Sequence, residues 1–245
     1  MRELLGEGPA TRAELRAHLV KSPTLRHLAT DATGAGADAL YKPLHWRGDI
    51  CFGPTKAGQT TFRLLSNDPA WPGLPAVGEA GRRAIELYLR SYGPATLANL
   101  AYWLTEGLSV PRRRLTTWIA DLGGAVTTVS VAGVQGYVLT EDLDGLGSVE
   151  PTDVVRLLPG FDPWLFGPGT ADQRLLAPAW RALATKGSNL VIRGGVVSGT
   201  WRARGTDIEV AWFDELGPEP TAALEREAER LATVLGRAER APRTV

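Results

Sequence analysis

Between residues 77 and 143 the chain spells out an order that few folds can use: three helical segments with Gly or Pro punctuation, then two alternating β runs. Val77 to Tyr92 reads as a helix with Ala84, Leu87 and Tyr88 on one face, and Gly93-Pro94 stops it. Thr96 is placed to cap a second helix running through Leu104. Ser109 and Pro111 open a third, which runs to Leu122, and Gly123-Gly124 ends it because glycine accepts a left-handed C-cap. Val126–Val131 and Val134–Leu139 alternate as strands about Ala132-Gly133. Three helices followed by a hairpin is the winged-helix order.

The same order is legible upstream. A short apolar helix precedes Gly8-Pro9, and Thr11 with Glu14 forms a capping-box pattern that opens a helix through Leu15 and Leu19. A polar, Gly-rich stretch from Thr30 to Gly36 follows, and residues 38–47 read as a third helix whose regularity Pro43 limits. Two β-rich runs come last, Ile50–Phe52 and Thr60–Leu65, with residues 53–59 expected as a loop. Downstream, Val154–Leu158, 189–193, 196–203 and 207–213 read as strands, with turns at Gly194-Gly195 and Arg204-Gly205-Thr206. Pro178–Ala184 reads as a helix. Thr221–Arg240 reads as a terminal amphipathic helix with Leu224, Ala228, Leu231 and Leu235 on one stripe, which favours packing on the sheet over a dimer seam.

Turn-rich stretches at 67–75 and 144–151 divide these segments. The expectation is an α+β fold: a winged-helix module over 1–66, a second over 77–143, and a β-rich C-terminal domain with a terminal helix over 152–245. The two modules share element order and not sequence.

Charge separates the segments weakly. Lys and Arg number 9 against 7 Asp and Glu in residues 1–76, 6 against 4 in 77–140, and 12 against 16 in 141–245. A mildly basic front and an acidic rear are compatible with DNA contact by the first part. The start of the chain lacks the apolar stretch of a signal peptide, and no apolar run is long enough to cross a bilayer. Cys51 stands alone, so no intrachain disulfide forms, and a cytoplasmic location is expected. His18, His27 and His45 have no metal-site spacing, and neither a metal nor a cofactor is expected.

The residues best suited to chemistry lie on the third helix of the second module. Leu115, Trp118, Ile119 and Leu122 fall at helical spacing and should face the core. That leaves Arg112, Arg113, Thr116 and Thr117 outward, with Arg114 beside them. In a helix-turn-helix the start of the last helix enters the major groove, where arginine serves phosphate oxygens and guanine alike. Basic charge is also the wrong sign for a helix N-terminus, which favours a functional reason over a stabilising one. The matching set upstream is Tyr41, Lys42, His45 and Arg47, with Lys56 at the wing tip. Tyr41 and His45 serve equally well as packing residues. Arg193, Arg202 and Arg204 sit on or beside a hairpin that can reach toward DNA, although pairing with Asp207 or Glu209 is the preferred reading. Asp162, before Pro163, reads as a turn residue before it reads as a catalytic carboxylate. The Gly194–Gly199 stretch lacks nucleotide-binding spacing, and no nucleophile elbow, P-loop, HExxH or Cys/His zinc pattern is present.

Several stretches in consistent order resemble one family: Cys51-Phe52-Gly53-Pro54; Tyr88-Leu89-Arg90-Ser91-Tyr92-Gly93-Pro94-Ala95-Thr96 with Trp103; Leu157-Leu158-Pro159-Gly160-Phe161-Asp162-Pro163-Trp164-Leu165-Phe166-Gly167; and Gly199-Thr200-Trp201-Arg202. Together they are similar to the bacterial winged-helix DNA glycosylases, the AlkZ-like proteins that unhook DNA crosslinks and remove alkylated bases. The resemblance implies tandem winged helices followed by a β-rich domain, and double-stranded DNA as partner. It also implies a further N-terminal module whose Gln-x-Gln motif positions the hydrolytic water. The glutamines here are Gln59, Gln135 and Gln173, no two of them two residues apart. No catalytic residue carries over, and the chain is expected to lack that module.

Three readings follow. The first is a double-stranded DNA-binding protein related to repair glycosylases, without catalysis in this chain. The second is an active glycosylase using substitute residues, with Asp162 and His45 as the candidates. The third is a protein-interaction scaffold, which zero net charge suits.

Overall fold

The computed structural model of the protein describes residues 1–34, 36–150, 152–204, 207–213, 219–234 and 242–244. The chain divides into two compact units, Met1–Ala76 and Val77–Val245.

The first unit runs α1 (Arg2–Gly6), β1 (Ala10–Thr11), α2 (Arg12–Lys21), α3 (Ala37–Trp46), β2 (Ile50–Lys56) and β3 (Gln59–Leu64), with a three-stranded sheet in the order β1-β3-β2. Thr11 joins the sheet to the helix. Its backbone pairs with Thr61, its hydroxyl accepts from the Glu14 N–H at 3.2 Å, and the Glu14 carboxylate accepts from the Thr11 N–H at 2.8 Å. This is the expected capping box, and it satisfies two otherwise free helix-end donors. Thr11→Ala is expected to cost this unit about 1 kcal/mol, a fall of roughly 4–8 °C in its thermal transition. Calorimetry checks this, and an unshifted transition would mean that strand pairing alone holds the start of α2.

Leu5, Leu15, Leu19, Ile50 and Phe62 form the core of this unit, with the Tyr41 ring stacked on Phe62 at 4.4 Å. The expected loop at 53–59 is mostly strand. Ala57 and Gly58, at φ +50° and +74°, make a two-residue turn, so β2 and β3 extend almost to the tip. Pro43 does not interrupt α3, which continues to Trp46.

The second unit opens with α4 (Val77–Tyr92), α5 (Leu97–Leu100), a π-helical stretch (Ala101–Gly107) and α6 (Arg112–Asp121). The hairpin β4 (Val126–Val131) and β5 (Val134–Leu139) and the short α7 (Leu143–Gly147) follow. The strand boundaries and the Ala132-Gly133 turn lie where the alternation placed them. Two details differ. Leu87 is exposed, and the buried face of α4 is built from Gly81, Ile85, Tyr88 and Leu89. The helix capped by Thr96 widens into π geometry after Leu100 instead of staying regular to Leu104.

The rest of this unit is a five-stranded sheet with short helices around it. The elements are β6 (Val155–Leu158), α8 (Pro163–Phe166), α9 (Arg181–Thr185), β7 (Leu190–Arg193), β8 (Val196–Arg204), β9 (Asp207–Trp212), α10 (Thr221–Val234) and β10 (Pro242–Thr244). The strand order is β10-β9-β8-β7-β6, antiparallel except for the β10–β9 pair. As expected, α10 packs on the sheet: Ala223, Leu224 and Ala228 join Val155, Leu157, Val191 and Ile208 in one core. The fully buried Glu227 of α10 accepts from the Leu157 N–H of edge strand β6 at 3.0 Å and is paired with Arg156 and Arg230. An edge donor is thereby satisfied inside the protein. Of the expected terminal helix, residues 235–240, Leu235 among them, lie outside the described residues, as do Gly205 and Thr206 of the expected turn. No helix among the described residues is long and apolar enough to cross a membrane.

Candidate nucleic-acid interface

Helix α6 begins at Pro111 with no side-chain cap, and its first three positions are Arg112, Arg113 and Arg114. Leu115 and Trp118 are buried, which fixes the helix's inward face and turns the arginines out. Trp118 fits because position 81 is glycine: a Cβ there would lie 2.1 Å from the indole. All three arginines are exposed, and no carboxylate pairs with any of them among the described residues. Thr116 and Thr117 are exposed as expected, but both hydroxyls donate back to the Arg113 carbonyl, at 3.0 and 2.9 Å. Three cations at a positive helix end, with no local partner, gain nothing from the fold itself.

The upstream set is different. Tyr41 is 3% exposed, and its hydroxyl donates to the Ala32 carbonyl at 3.0 Å, so it is a core residue and not a surface contact. Lys42 is exposed. His45 is half-buried against Phe52 and Phe62 at 4.9 and 5.7 Å. Arg47 pairs with Asp49 at 3.2 Å, and Arg2 pairs with the same carboxylate at 3.0 Å. Lys56 is bonded to Glu14, and this bond, with those from Thr11, lowers the Glu14 carboxyl to about 2. Charge here is largely answered within the unit.

On the β8–β9 hairpin, Arg202 and Arg204 both pair with Glu209, the local pairing expected of strand arginines. Arg193 ends β7. Asp162 caps α8 by accepting from the Trp164 N–H at 2.8 Å, a turn role. Among the described residues no group of His, Cys, Asp and Glu could hold a metal ion.

The structure also assembles a polar network that sequence reasoning missed. The side-chain oxygen of Asn99 accepts from the Thr96 N–H at 2.8 Å, the Thr96 hydroxyl at 2.6 Å and Arg174 at 3.2 Å. Its amide nitrogen donates to the Pro168 carbonyl at 2.7 Å and to Asp172 at 3.0 Å. Only this orientation of the amide satisfies every partner. Asp172 also holds the Arg174 guanidinium through two bonds, of 2.9 and 2.6 Å, and accepts from the Arg174 backbone N–H at 3.1 Å. Burial pushes the Asp172 carboxyl up, but the bonds from Arg174 and Asn99 outweigh it and hold the group below its ordinary value. Tyr88 donates to the Gly167 carbonyl at 3.0 Å, and burial pushes its phenol up.

These bonds lay the 167–174 loop against α4, α5 and the π-helical stretch. The fit depends on glycine: a Cβ on Gly167 would meet the Tyr92 ring at 2.2 Å, and one on Gly169, at φ +97°, would meet Tyr102 at 2.9 Å. Beside the loop lies a cleft of about 560 Å³, lined among others by Asn99, Tyr102, Glu106, Arg112, Arg174 and Arg181. The one sequence hint was Thr96 with Asn99, spaced like a capping box. The remaining partners lie about 70 residues away.

Comparison with known proteins gives a consistent result. The sequence model of the family described as DNA glycosylase AlkZ-like matches residues 1–234. An interstrand DNA cross-link repair glycosylase of Streptomyces sahachiroi is 34% identical over 232 residues, covering 92% of this chain and 62% of that protein. The chain therefore spans less than two thirds of the length of this curated relative. The solved structure of Streptomyces sahachiroi DNA glycosylase AlkZ matches all of this chain, and 67% of its own, at 33% identity and a TM-score of 0.90. The mixed α and β fold, the ordered motifs and the match across both units lead to one conclusion: the chain belongs to the DNA glycosylase AlkZ-like family.

Proposed function

We propose that this chain is a double-stranded DNA-binding protein related to the DNA-repair glycosylases, without catalysis of its own, with α6 as its principal reading element. In this reading the helix and hairpin sets of 1–66 and 77–143 are winged helices, and residues 152–245 form a third, β-rich domain. The observation that carries it is the first turn of α6, where Arg112, Arg113 and Arg114 are exposed without a carboxylate partner. Such a turn costs helix stability and suits a phosphate backbone. The relative's role in cross-link repair supports DNA as the partner.

Binding of a labelled duplex over a salt series tests it. Affinity should fall steeply with salt. The double variant Arg112→Ala/Arg113→Ala should lower the slope of log affinity against log salt by about two, with affinity falling about tenfold. Absence of binding at low salt would remove the proposal and favour a protein partner.

A second reading, catalysis by this chain, rests on similarity to a glycosylase over 92% of its residues. Its two named candidates have other duties: Asp162 caps α8, and His45 packs on Phe52 and Phe62. Incubation with alkylated or crosslinked duplex is expected to yield no abasic sites, and their appearance would overturn the non-catalytic reading.

A further inference from the structure

We infer that the cleft lined by the start of α6 and the 168–181 segment is a seat for one backbone phosphate of the bound duplex, held by Arg112 and Arg181. The inference rests on the DNA-binding reading above and adds a second contact surface to it.

Charge within the cleft is unevenly answered. Arg174 is already held by Asp172, so its charge is spent within the fold. Arg112 and Arg181 line the same cleft, and neither has a carboxylate partner among the described residues. Glu106 is the remaining carboxylate in the lining, so two unpaired guanidinium groups face one unpaired acid. An anion entering the cleft improves that balance.

Geometry favours a phosphate. The Arg181 Nε donates to the Thr170 hydroxyl at 3.3 Å, and Thr170 is itself buried. That bond orients the guanidinium and leaves its two terminal nitrogens available, the arrangement that suits bidentate contact with phosphate oxygens. Gln173, also in the lining, adds a neutral amide donor. In the same lining the Asn99–Asp172–Arg174 network is internally satisfied, so that part of the cleft is preorganised. Arg112 and Arg181 are exposed, and Arg113 and Arg114 continue the basic track along α6 outside the cleft. A polymer that presents successive phosphates matches that track.

The test is duplex binding over a potassium chloride series with the intact chain and three variants. Arg181→Gln should lower the salt slope by about one and weaken affinity about fivefold. Arg181→Lys should retain the slope, since one cation still meets the phosphate. Arg113→Ala, outside the cleft, reports on the α6 reading alone. Normal thermal melting of each variant establishes that it is folded. If Arg113→Ala weakens binding while Arg181→Gln leaves affinity and slope unchanged, the phosphate seat is overturned and the DNA reading stands. If the parent chain binds no duplex at low salt, both fall together.

Discussion

Asp172→Ala is expected to lower the stability of the second unit by about 3 kcal/mol, because it leaves the Arg174 guanidinium without its partner. The carboxylate is nearly buried, at 6% exposure, while Arg174 retains 31%, so water recovers part of the lost interaction. For a unit of this size the loss corresponds to a fall of roughly 6–12 °C in the thermal transition. Asp172→Asn, which keeps the shape, should lose less. The folded carboxyl lies below its ordinary value, so its contribution is fully present above the unfolded pKa and is lost as pH falls through the folded one. The gap between parent and Asp172→Ala should therefore be complete at neutral pH and close below about pH 4. Calorimetry from acid to neutral pH checks both parts. A gap that persists unchanged into acid would mean that the side chain acts by packing and not by charge.

Gly81→Val is expected to cost about 3 kcal/mol through overpacking against Trp118. An added Cβ would sit 2.1, 2.2 and 2.5 Å from three atoms of the indole, which is 7% exposed and locked between α4 and α6. The gain in helix propensity on replacing glycine by valine, roughly a few tenths of a kcal/mol, is too small to offset this. Because Trp118 lies on the same helix as Arg112, Arg113 and Arg114, displacing it moves the basic turn as well. Denaturant unfolding should show the loss, and the variant should bind duplex with a reduced salt slope. Combining it with Trp118→Ala should cost less than the two single losses together, as expected of groups in direct contact. Strict additivity would mean that α4 and α6 do not meet there.

Both predictions concern the scaffold, and so do most of the motifs that carried the family resemblance. In the 157–167 stretch, a Cβ on Gly160 would lie 2.1 Å from the Gly187 carbonyl, Asp162 caps α8, and Gly167 clears the Tyr92 ring. Gly199 clears the Ala211 carbonyl, and Trp201 donates to the Leu158 carbonyl at 2.8 Å. Upstream, Gly53 makes room for Thr61, whose hydroxyl donates to the Pro54 carbonyl at 2.6 Å. These residues fasten elements at close approach, where only glycine or one particular donor fits.

Local physics in the chain itself determined the element order, the caps at Thr11 and Thr96, the Ala132-Gly133 turn and the outward face of α6. Each depends on residues within a few positions of one another, where periodicity and capping act. The Ala57-Gly58 turn uses the same dipeptide as Ala132-Gly133, yet Pro54 and polar neighbours disguised it as a loop. Tertiary structure decided the rest. It placed Tyr41 in the core by stacking it on Phe62, and it answered Lys56 with Glu14 from 42 residues earlier. It also joined Asn99 to Asp172 and Arg174 across more than 70 positions, and brought Arg181 and Arg112 into the lining of one cleft. Those outcomes depend on which surfaces meet when the chain folds, and hydrogen bonds and ion pairs between distant residues leave no periodic trace along it.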